Sequence, residues 1–412
     1  MKKVLVIGAG VGQVELVKKA KGLGCYVITV TSSGNWPAIQ YSDENWDIDI
    51  YKKELILRKA EEAKIDAVCS SQNDLMVPTV CYIAEKLGLP GSSYKTALMY
   101  CDKNIYKSNC DILGLPVARH FAVKDIKNIS VPTGFKYPMI VKPTDSQSSI
   151  GVKRVENYSE LVEALKVAMS KSKKSEAIVE EYFVGDEIVS VGFILDGKYY
   201  FLCFGEKEYF NRLDIRVPCS VHYIAKFPKD IERRIVDCEK KMVSYTKPSL
   251  GIVYTEYLFN RTTNDIVIVE SALRGPGMYC TSHLIPLATG VDLEKLMLKL
   301  SLGIKVNIID ELEPKFYYTS GYISFYLDKG RIKKIDGINK IKDLPYVNEC
   351  LLDDITIGME TSPLTYKGDR KGPIIFTDKT FEGFEKKKKI IMDTLKIDVE
   401  NSGIVHNGIR WN

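Results

Sequence analysis

The sequence predicts a multidomain protein that combines an α/β unit with α+β units. Residues 3–30 have the pattern of a buried strand, a glycine turn, a helix and a second strand, which is a βαβ unit. Alternation of helix and strand continues to the break at Leu89-Pro90-Gly91, and after residue 137 short strands separated by polar turns replace it. The length of 412 residues exceeds the usual domain size of about 100–200 residues, so we expect several units.

Composition and charge exclude several classes of protein. The net charge is only +5, from 58 basic and 53 acidic residues, and the one dense basic cluster, Lys386–Lys389, falls in a helical pattern. We therefore expect no nucleic-acid partner. The ten cysteines include no C-x-x-C pair, and no run of about 18 apolar residues occurs. These features favour a cytoplasmic protein without a membrane partner.

The glycine turn Gly8–Gly12 follows the first strand, as in a dinucleotide-binding fingerprint. A NAD site also requires an acidic residue at the end of the second strand, where this chain has Val30-Thr-Ser-Ser-Gly34. The missing acid argues against NAD. A purely structural tight turn is the favoured reading, and a Rossmann oxidoreductase rests on this turn alone.

A lysine and a loop of small residues follow one another in the next unit. Lys142 lies near the end of an apolar strand, and Pro143 keeps the chain extended after it. The loop Thr144–Gly151, which contains Ser148 and Ser149, is able to fold backbone N–H groups over phosphate oxygens. A surface lysine beside a simple hairpin loop is the alternative interpretation.

The segment Val179–Glu187 combines a strand, a turn and several carboxylates. Such a strand suits the amino group of adenine and the hydroxyls of ribose in an apolar cleft. An acidic strand edge without a ligand explains the same pattern equally well.

Two apolar strands around a polar turn make a hairpin nearly certain between Tyr254 and Glu270. If Thr263 is the centre of the turn, Glu256 and Glu270 lie seven residues on either side and face each other. Directly opposed side chains have Cβ atoms about 4.5–5.5 Å apart, where like charges repel. A divalent cation would remove this repulsion.

Magnesium suits such a pair, since it takes one or two carboxylates and completes its octahedron with water and phosphates. Arg274 lies an even number of residues beyond Glu270, so an extended strand directs it to the same face, where its planar fork can hold a phosphate. The alternative is an exposed acidic pair with Arg274 as an ordinary salt-bridge partner.

Taken in chain order, these segments resemble the ATP-grasp superfamily over about residues 1–310. The matching positions are Asp102-Lys103, Lys142-Pro143, the loop ending at Gly151, Glu180–Phe183, Gly185–Glu187, Glu256, Glu270 and Arg274. The resemblance implies an ATP-grasp fold in four parts. They are a Rossmann-like pre-ATP-grasp domain (1–105), a lid subdomain (106–186), a large catalytic subdomain (187–310) and a C-terminal extension (311–412).

The same resemblance implies roles for individual residues. Lys103, Lys142, Ser148, Ser149 and Gly151 would bind the phosphates of ATP, Glu180, Glu181, Tyr182 and Phe183 the adenine, Glu187 the ribose, and Glu256 and Glu270 the Mg²⁺. Lys142 and Arg274 would be the catalytic residues. One or two metal ions are implied, with Mn²⁺ as an alternative to Mg²⁺.

The last motif departs from the common family wording Glu-x-Asn-x-Arg, because this chain has Ala272 at the Asn position. Alanine cannot ligate a metal, so either water or substrate fills that place or a second ion binds less firmly. The wording Glu-Ser-Ala-x-Arg is similar to the branch that contains L-amino-acid (dipeptide-forming) ligases.

The resemblance implies transfer of the ATP γ-phosphoryl group to a substrate carboxylate, followed by attack of an amine on the acyl phosphate. The substrates would be amino acids or similar metabolites, and a homodimer is possible. The alternatives are a carboxylase or purine-biosynthesis-like ligase, and a nucleotide-binding regulatory protein without turnover. Arg212, Arg216 and His222 are candidates for the acceptor pocket, although a solvated loop is the favoured reading of that segment.

Overall fold

The computed structural model describes residues 1–147, 149–212 and 216–412. Its N-terminal unit contains a four-stranded parallel sheet in the order β3-β2-β1-β4, which confirms the expected α/β pattern. The elements are β1 (Lys3–Ile7), α1 (Val11–Gly22), β2 (Tyr26–Thr31), β3 (Glu44–Asp47), α2 (Lys53–Ala63), β4 (Ala67–Cys69), α3 (Val77–Leu87), α4 (Tyr94–Cys101) and α5 (Lys103–Ile112). The side chain of Asp102 caps α5 by accepting from the backbone N–H groups of Asn104 and Ile105, each at 3.0 Å.

The second unit is a four-stranded antiparallel sheet in the order β5-β8-β6-β7, covered by one helix. Its elements are β5 (His120–Val123), β6 (Met139–Pro143), β7 (Lys153–Val155), α6 (Tyr158–Lys171) and β8 (Ala177–Glu181). Helix α6 buries Leu161, Ala164, Leu165 and Ala168, a spacing of three and four residues that places one apolar face on the sheet. We call this unit the lid.

The third unit contains the longest strands and carries most of the core. Its elements are β9 (Asp186–Leu195), β10 (Lys198–Tyr209), β11 (Pro218–Tyr223), α7 (Lys229–Thr246), β12 (Leu250–Asn260), β13 (Asp265–Ala272), α8 (Ile285–Thr289), α9 (Leu293–Ser301) and α10 (Ile308–Leu312). Strands β12 and β13 form the expected hairpin, and β13 lies at one edge of the sheet. We call this the large sheet.

The large sheet continues into the C-terminal residues. The elements there are β14 (Thr319–Leu327), β15 (Gly330–Asp336), α11 (Ile338–Lys342), β16 (Val347–Cys350), β17 (Glu360–Thr361), β18 (Lys371–Asp378), α12 (Phe381–Thr394), β19 (Lys396–Asn401), β20 (Ile404–Asn407) and β21 (Ile409–Arg410). The sheet order β13-β12-β9-β10-β11-β14-β18-β16 crosses the proposed boundary at residue 310, because β14 pairs with β11. The helical pattern of residues 381–395 predicts a tail that ends in a helix; this prediction is wrong, since three strands follow α12.

Alternation along the strands places the charged residues of interest on one face of the large sheet. Glu187 shares a face with Val189 and Val191 on β9, and Glu256 shares a face with Tyr254 on β12, because side chains two residues apart point the same way. Among the residues that the structure describes, no helix is both long and apolar enough to cross a membrane.

Candidate active site

A cavity of about 180 Å³ lies between the lid and the large sheet. The residues that line it and that were expected to bind nucleotide or metal are Lys103, Lys142, Ser149, Glu180, Glu181, Tyr182, Phe183, Glu187, Glu256 and Glu270. They come from α5, from three segments of the lid and from three strands of the large sheet. Residues scattered over 168 positions of sequence are thus gathered around one space, which we call the first cavity.

Two expected phosphate-loop residues are not placed in this cavity wall. Gly151 does not line it; its φ of +74° and a spacing of 3.0 Å between an added Cβ and Pro143 explain the need for glycine there. Ser148 lies outside the described residues. The roles of both remain predictions.

On the lid side of the first cavity, a buried carboxylate lies between two lysines. Glu180 on β8 is 2.6 Å from the Nζ of Lys142 and 3.4 Å from the Nζ of Lys107. Burial by itself raises the pKa of Glu180, but the two ammonium groups outweigh it and lower the pKa. Lys107 also donates to the carbonyl of Ile268 at 2.6 Å, so it joins the lid to the edge strand β13.

On the sheet side, Glu256 and Glu270 are direct cross-strand partners, which confirms that they face each other. The reason given from the sequence is wrong, because the turn is not centred on Thr263. The register from Asn260 to Tyr257 would place Glu256 opposite Val269, and a β-bulge at that point shifts the pairing by one residue. The bulge therefore creates the carboxylate pair.

Each carboxylate of the pair has a lysine partner. Glu270 is 3.1 Å from the Nζ of Lys103, which also donates to the carbonyl of Ser146 at 2.8 Å. Glu256 pairs with Lys207 on β10 and accepts a hydrogen bond of 2.8 Å from the hydroxyl of Tyr254.

Lys207 pairs with both Glu256 and Glu187. Its Nζ lies 2.5 Å from the carboxylate of Glu187. Glu187 also accepts from the hydroxyl of Tyr209, and these two partners outweigh its burial and lower its pKa. Three carboxylates of the sheet thus form one group with two lysines, Lys207 on β10 and Lys103 on α5. Each carboxylate has a lysine partner from a neighbouring element.

The pKa values of the facing carboxylates shift in opposite directions. Burial raises the pKa of Glu256, and although Lys207 opposes this, the charges of Glu187 and Glu270 add to it. Burial acts in the same direction on Glu270, but Lys103, Lys142 and Lys367 outweigh it and lower its pKa. Glu270 is thus held ionised, whereas ionisation of Glu256 is disfavoured.

The donor set fits a magnesium ion that is completed by phosphates. Two carboxylates share one face, and the carboxylate of higher pKa is the one whose anion gains most from an added cation. No group of three or more His, Cys, Asp or Glu side chains that would hold a metal unaided occurs in the described part of the chain. Two carboxylates, with water and phosphate oxygens for the other positions, match the way magnesium is bound.

Arg274 does not line the first cavity but lies beside it. Its guanidinium makes a two-bonded pair with Asp74 of the N-terminal unit, at 2.9 and 2.6 Å, and its charge lies 5.5 Å from the centre of the Tyr254 ring. Arg274 lines a neighbouring cavity together with Lys103 and Glu270. The arginine is therefore placed near Glu270, as expected, with a carboxylate partner that the sequence did not reveal.

Four functional candidates were missed: Asp74, Lys107, Lys207 and Lys367. Lys107 follows Lys103 by one helical turn, a spacing that places both on the same side of α5. Lys207 is a charged residue within a largely apolar strand. The same pattern identified Lys142 as a candidate. Lys367 comes from the C-terminal part of the chain and lines the first cavity, and nothing local to its sequence shows this.

The remaining sequence candidates lie in different surroundings. His222 is buried on β11 against the ring of Phe381, at 4.8 Å between ring centres, where burial lowers its pKa to about 4. Arg216 lines the first cavity with its Nη2 3.7 Å from Glu187, whereas Arg212 lines neither cavity. The glycine turn packs under a neighbouring loop, because a Cβ on Gly8 would lie 2.3 Å from Met76, which supports the structural reading of that turn.

Known proteins resemble this chain in sequence over part of its length. Residues 112–300 match the family model for the D-ala D-ala ligase C-terminus. A formate-dependent phosphoribosylglycinamide formyltransferase from Prochlorococcus marinus (strain NATL1A) is 29% identical over 189 residues, 44% of this chain and 48% of the relative. D-alanine–D-alanine ligase A from Bacillus cereus is 34% identical over 124 residues, 29% of this chain and 40% of the relative. The chain spans about half the length of the curated relatives that it matches.

The solved structure of an L-amino acid ligase from Bacillus licheniformis resembles the whole chain. It has a TM-score of 0.81 at 20% identity and covers 97% of this chain and 99% of its own. At this identity the likeness shows the fold. The fold is therefore the ATP-grasp fold that the sequence implies, and residues 112–300 resemble the D-ala D-ala ligase C-terminus.

Proposed function

We propose that this protein is an ATP-dependent carboxylate–amine ligase that uses Mg²⁺. The carrying observation is the facing pair Glu256 and Glu270 in the same cavity as Lys103 and Lys142. A nucleotide triphosphate offers the phosphate oxygens that a two-carboxylate magnesium site and two lysines require. The products would be an amide or peptide, ADP and phosphate.

In this proposal the carboxylate substrate attacks the γ-phosphorus of ATP, the bond to the β-phosphate oxygen breaks, and ADP leaves. An amine then attacks the carbonyl carbon of the acyl phosphate, and phosphate leaves. Lys103 and Lys142 hold phosphate oxygens, and Glu180 is positioned by Lys142 to accept from the adenine amino group. Bound magnesium would neutralise phosphate charge between Glu256 and Glu270.

The proposed reaction requires no nucleophile from the enzyme. Phosphoryl transfer requires mainly positioning and charge neutralisation, which the lysines and carboxylates supply. The lid covers the first cavity with residues of β6 and β8, and exclusion of water there would protect the acyl phosphate from hydrolysis. The relatives named above include a formate-dependent enzyme and a D-alanine ligase, and both formate and D-alanine are carboxylates.

The test is an assay of ADP release with pooled amino acids, Mg²⁺ and hydroxylamine. Hydroxylamine attacks an acyl phosphate and gives a hydroxamate, so its formation identifies the activated carboxylate. We expect Glu270→Gln and Lys142→Ala to reduce hydroxamate formation by about 100-fold or more, in the range that follows removal of one electrostatic partner of a transition state.

The matched controls are Glu163→Gln and Lys166→Ala, which change the same residue types in an ion pair on the exposed side of α6. These controls should retain wild-type rates. Full activity of Glu270→Gln and Lys142→Ala would refute the assignment. Magnesium-dependent ATP binding without ADP release for any carboxylate would instead support the regulatory alternative.

A further inference from the structure

We propose that the cavity beside the first one binds the carboxylate substrate, and that this substrate carries an aromatic or similarly large apolar group. This inference rests on the proposed function, whose site it extends. The cavity has a volume of about 240 Å³ and lies between the N-terminal unit, the lid and the edge strand β13. We call it the second cavity.

The two cavities share a wall. Lys103, Ser146, Val269 and Glu270 line both of them. A group in the second cavity therefore lies next to the lysine and the carboxylate that are assigned to the phosphates and metal. This is the position that a carboxylate needs in order to attack the γ-phosphorus of a nucleotide in the first cavity.

The cations that line the second cavity are Lys53, Lys103, Lys173, Lys174 and Arg274. Lys103 and Arg274 lie beside Glu270, and we call this part of the wall the charged end. The guanidinium of Arg274 donates to the carboxylate of Asp74 and, at 2.9 Å, to the carbonyl oxygen of Gly275. These contacts fix its orientation without the help of a ligand. Asp74 and Gly275 take three of its five N–H groups, which leaves one N–H on each Nη atom for the oxygens of a carboxylate or a phosphate. The charged end therefore suits the reacting carboxylate.

Apolar and aromatic side chains form another part of the wall, which we call the apolar end. Leu75, Pro78, Tyr94, Leu98 and Tyr100 contribute to it, from the loop before α3, from α3 itself and from α4. The Nζ of Lys53 lies 5.2 Å from the centre of the Tyr94 ring. The hydroxyl of Tyr100 is 3.1 Å from that of Thr246, so its polar tip is already satisfied. A substrate would meet apolar side chains at this end.

The volume sets a scale for the apolar group. A buried apolar cavity of about 150 Å³ accepts benzene, so about 240 Å³ holds a six-membered ring together with the short chain that leads to a carboxylate. A small polar amino acid would leave the apolar end without a partner.

Ala272 supplies an independent observation. Ala272 is 7% exposed, lies directly across the ladder from Tyr254 and lines the second cavity. It does not line the first cavity, where the metal would bind. The methyl group therefore extends the wall of the second cavity, which a bulkier side chain would narrow.

The experiment uses the full chain, ATP, Mg²⁺ and hydroxylamine, with L-phenylalanine and L-serine as the competing carboxylates. We expect the KM of L-phenylalanine to be at least about tenfold lower than that of L-serine. In Leu98→Glu a carboxylate enters the apolar end and should raise the KM of L-phenylalanine about tenfold, with the KM of ATP unchanged. Leu98 is 36% exposed, so this variant is expected to fold.

The matched control is Leu55→Glu, the same substitution at a helix residue that is 37% exposed and lines neither cavity. It should behave as the wild type. Ala272→Asn should also raise the KM of L-phenylalanine. Equal KM values for the two amino acids, or an effect of Leu98→Glu no larger than that of Leu55→Glu, would overturn the inference.

Calorimetry of L-phenylalanine binding, in the presence of a non-hydrolysable ATP analogue, separates this inference from the proposed function. Binding that is lost in Leu98→Glu supports the second cavity as an aromatic site even if no hydroxamate forms, in which case the proposed reaction fails alone. Hydroxamate formation from L-serine but not from L-phenylalanine would leave the ligase reaction standing and refute the aromatic substrate.

Discussion

The facing carboxylates Glu256 and Glu270 should respond in opposite ways to the same substitution in the metal-free protein. Glu256→Gln is expected to raise the thermal midpoint, and Glu270→Gln to lower it. The reason is that burial and neighbouring acids raise the pKa of Glu256, whereas Lys103 and other lysines lower the pKa of Glu270 despite its burial. A neutral amide therefore suits the first position and not the second.

The magnitude follows from charge separation. Two unit charges about 5 Å apart at an effective dielectric constant of about 20 repel by about 3 kcal/mol, and Lys207 offsets much of this at Glu256. We expect a net gain of about 1 kcal/mol for Glu256→Gln, or about 1 °C in Tm for the 412 residues of this chain. Glu270 is 37% exposed, so solvent screens its pair with Lys103 and the expected loss is also about 1 kcal/mol.

The assay is thermal unfolding in EDTA, followed by the same measurement with ATP and Mg²⁺. The sign is expected to depend on pH. The destabilisation by ionised Glu256 is absent below the pKa of this group in the unfolded chain and grows as the pH rises towards its raised pKa in the folded protein. The stabilisation by ionised Glu270 is lost as the pH falls below the pKa of that group in the unfolded chain. Both variants should lose the added stabilisation by ATP and Mg²⁺. Changes of the same sign and size at pH 7 in EDTA would refute this reasoning.

Three further predictions concern buried charges. Lys367→Met should weaken ATP binding about tenfold in calorimetry, because it removes a cation from the first cavity. The control Lys389→Met, on the exposed face of α12, should not weaken it. Equal affinities of the two variants would contradict a role for Lys367. Lys107→Met should keep Tm within a few degrees of the wild type, because Glu180 retains its pair with Lys142. The same substitution should raise the Kd of ATP. An unchanged Kd would show that Lys107 serves the fold alone. Burial raises the pKa of Glu239 to about 7, so its native state holds a proton that the unfolded chain releases between about pH 4.5 and 7, and stability falls across that range. The free energy of unfolding of Glu239→Gln, relative to the wild type, should therefore increase by about 2–3 kcal/mol from pH 5 to pH 8. The measurement is the difference in Tm between the two proteins, which should widen over this range. A constant difference would argue against a protonated carboxyl.

Local periodicity predicted most of the elements that position the site. The short apolar run at residues 67–69 predicts a strand, which is found as Ala67–Cys69. The helical periodicity of residues 293–302 predicts a helix, which is found as Leu293–Ser301. The predictions for these two segments are correct because one is a short apolar run and the other has a single apolar face at helical spacing. Helices α4 and α5 were not recognised as separate elements, since the break between them depends on a single capping residue, Asp102.

The carboxylate pair shows where sequence reasoning reached the right contact for the wrong reason. Counting from an assumed turn centre at Thr263 placed Glu256 opposite Glu270, but the strands reach that pairing through a bulge at Val269. A bulge follows from how two strands twist and pack in the complete sheet, and a residue count does not contain that information.

The sequence by itself determined the α/β and α+β organisation and the residue types that suit phosphate and magnesium, because strand periodicity and short motifs are local properties. Only the tertiary structure decided which lysine pairs with which carboxylate, that Asp74 holds Arg274, and that Lys367 enters the first cavity. It also decided that Ala272 faces a second, largely apolar cavity rather than a metal. These contacts join residues up to 200 positions apart, and their geometry depends on how separate units pack together.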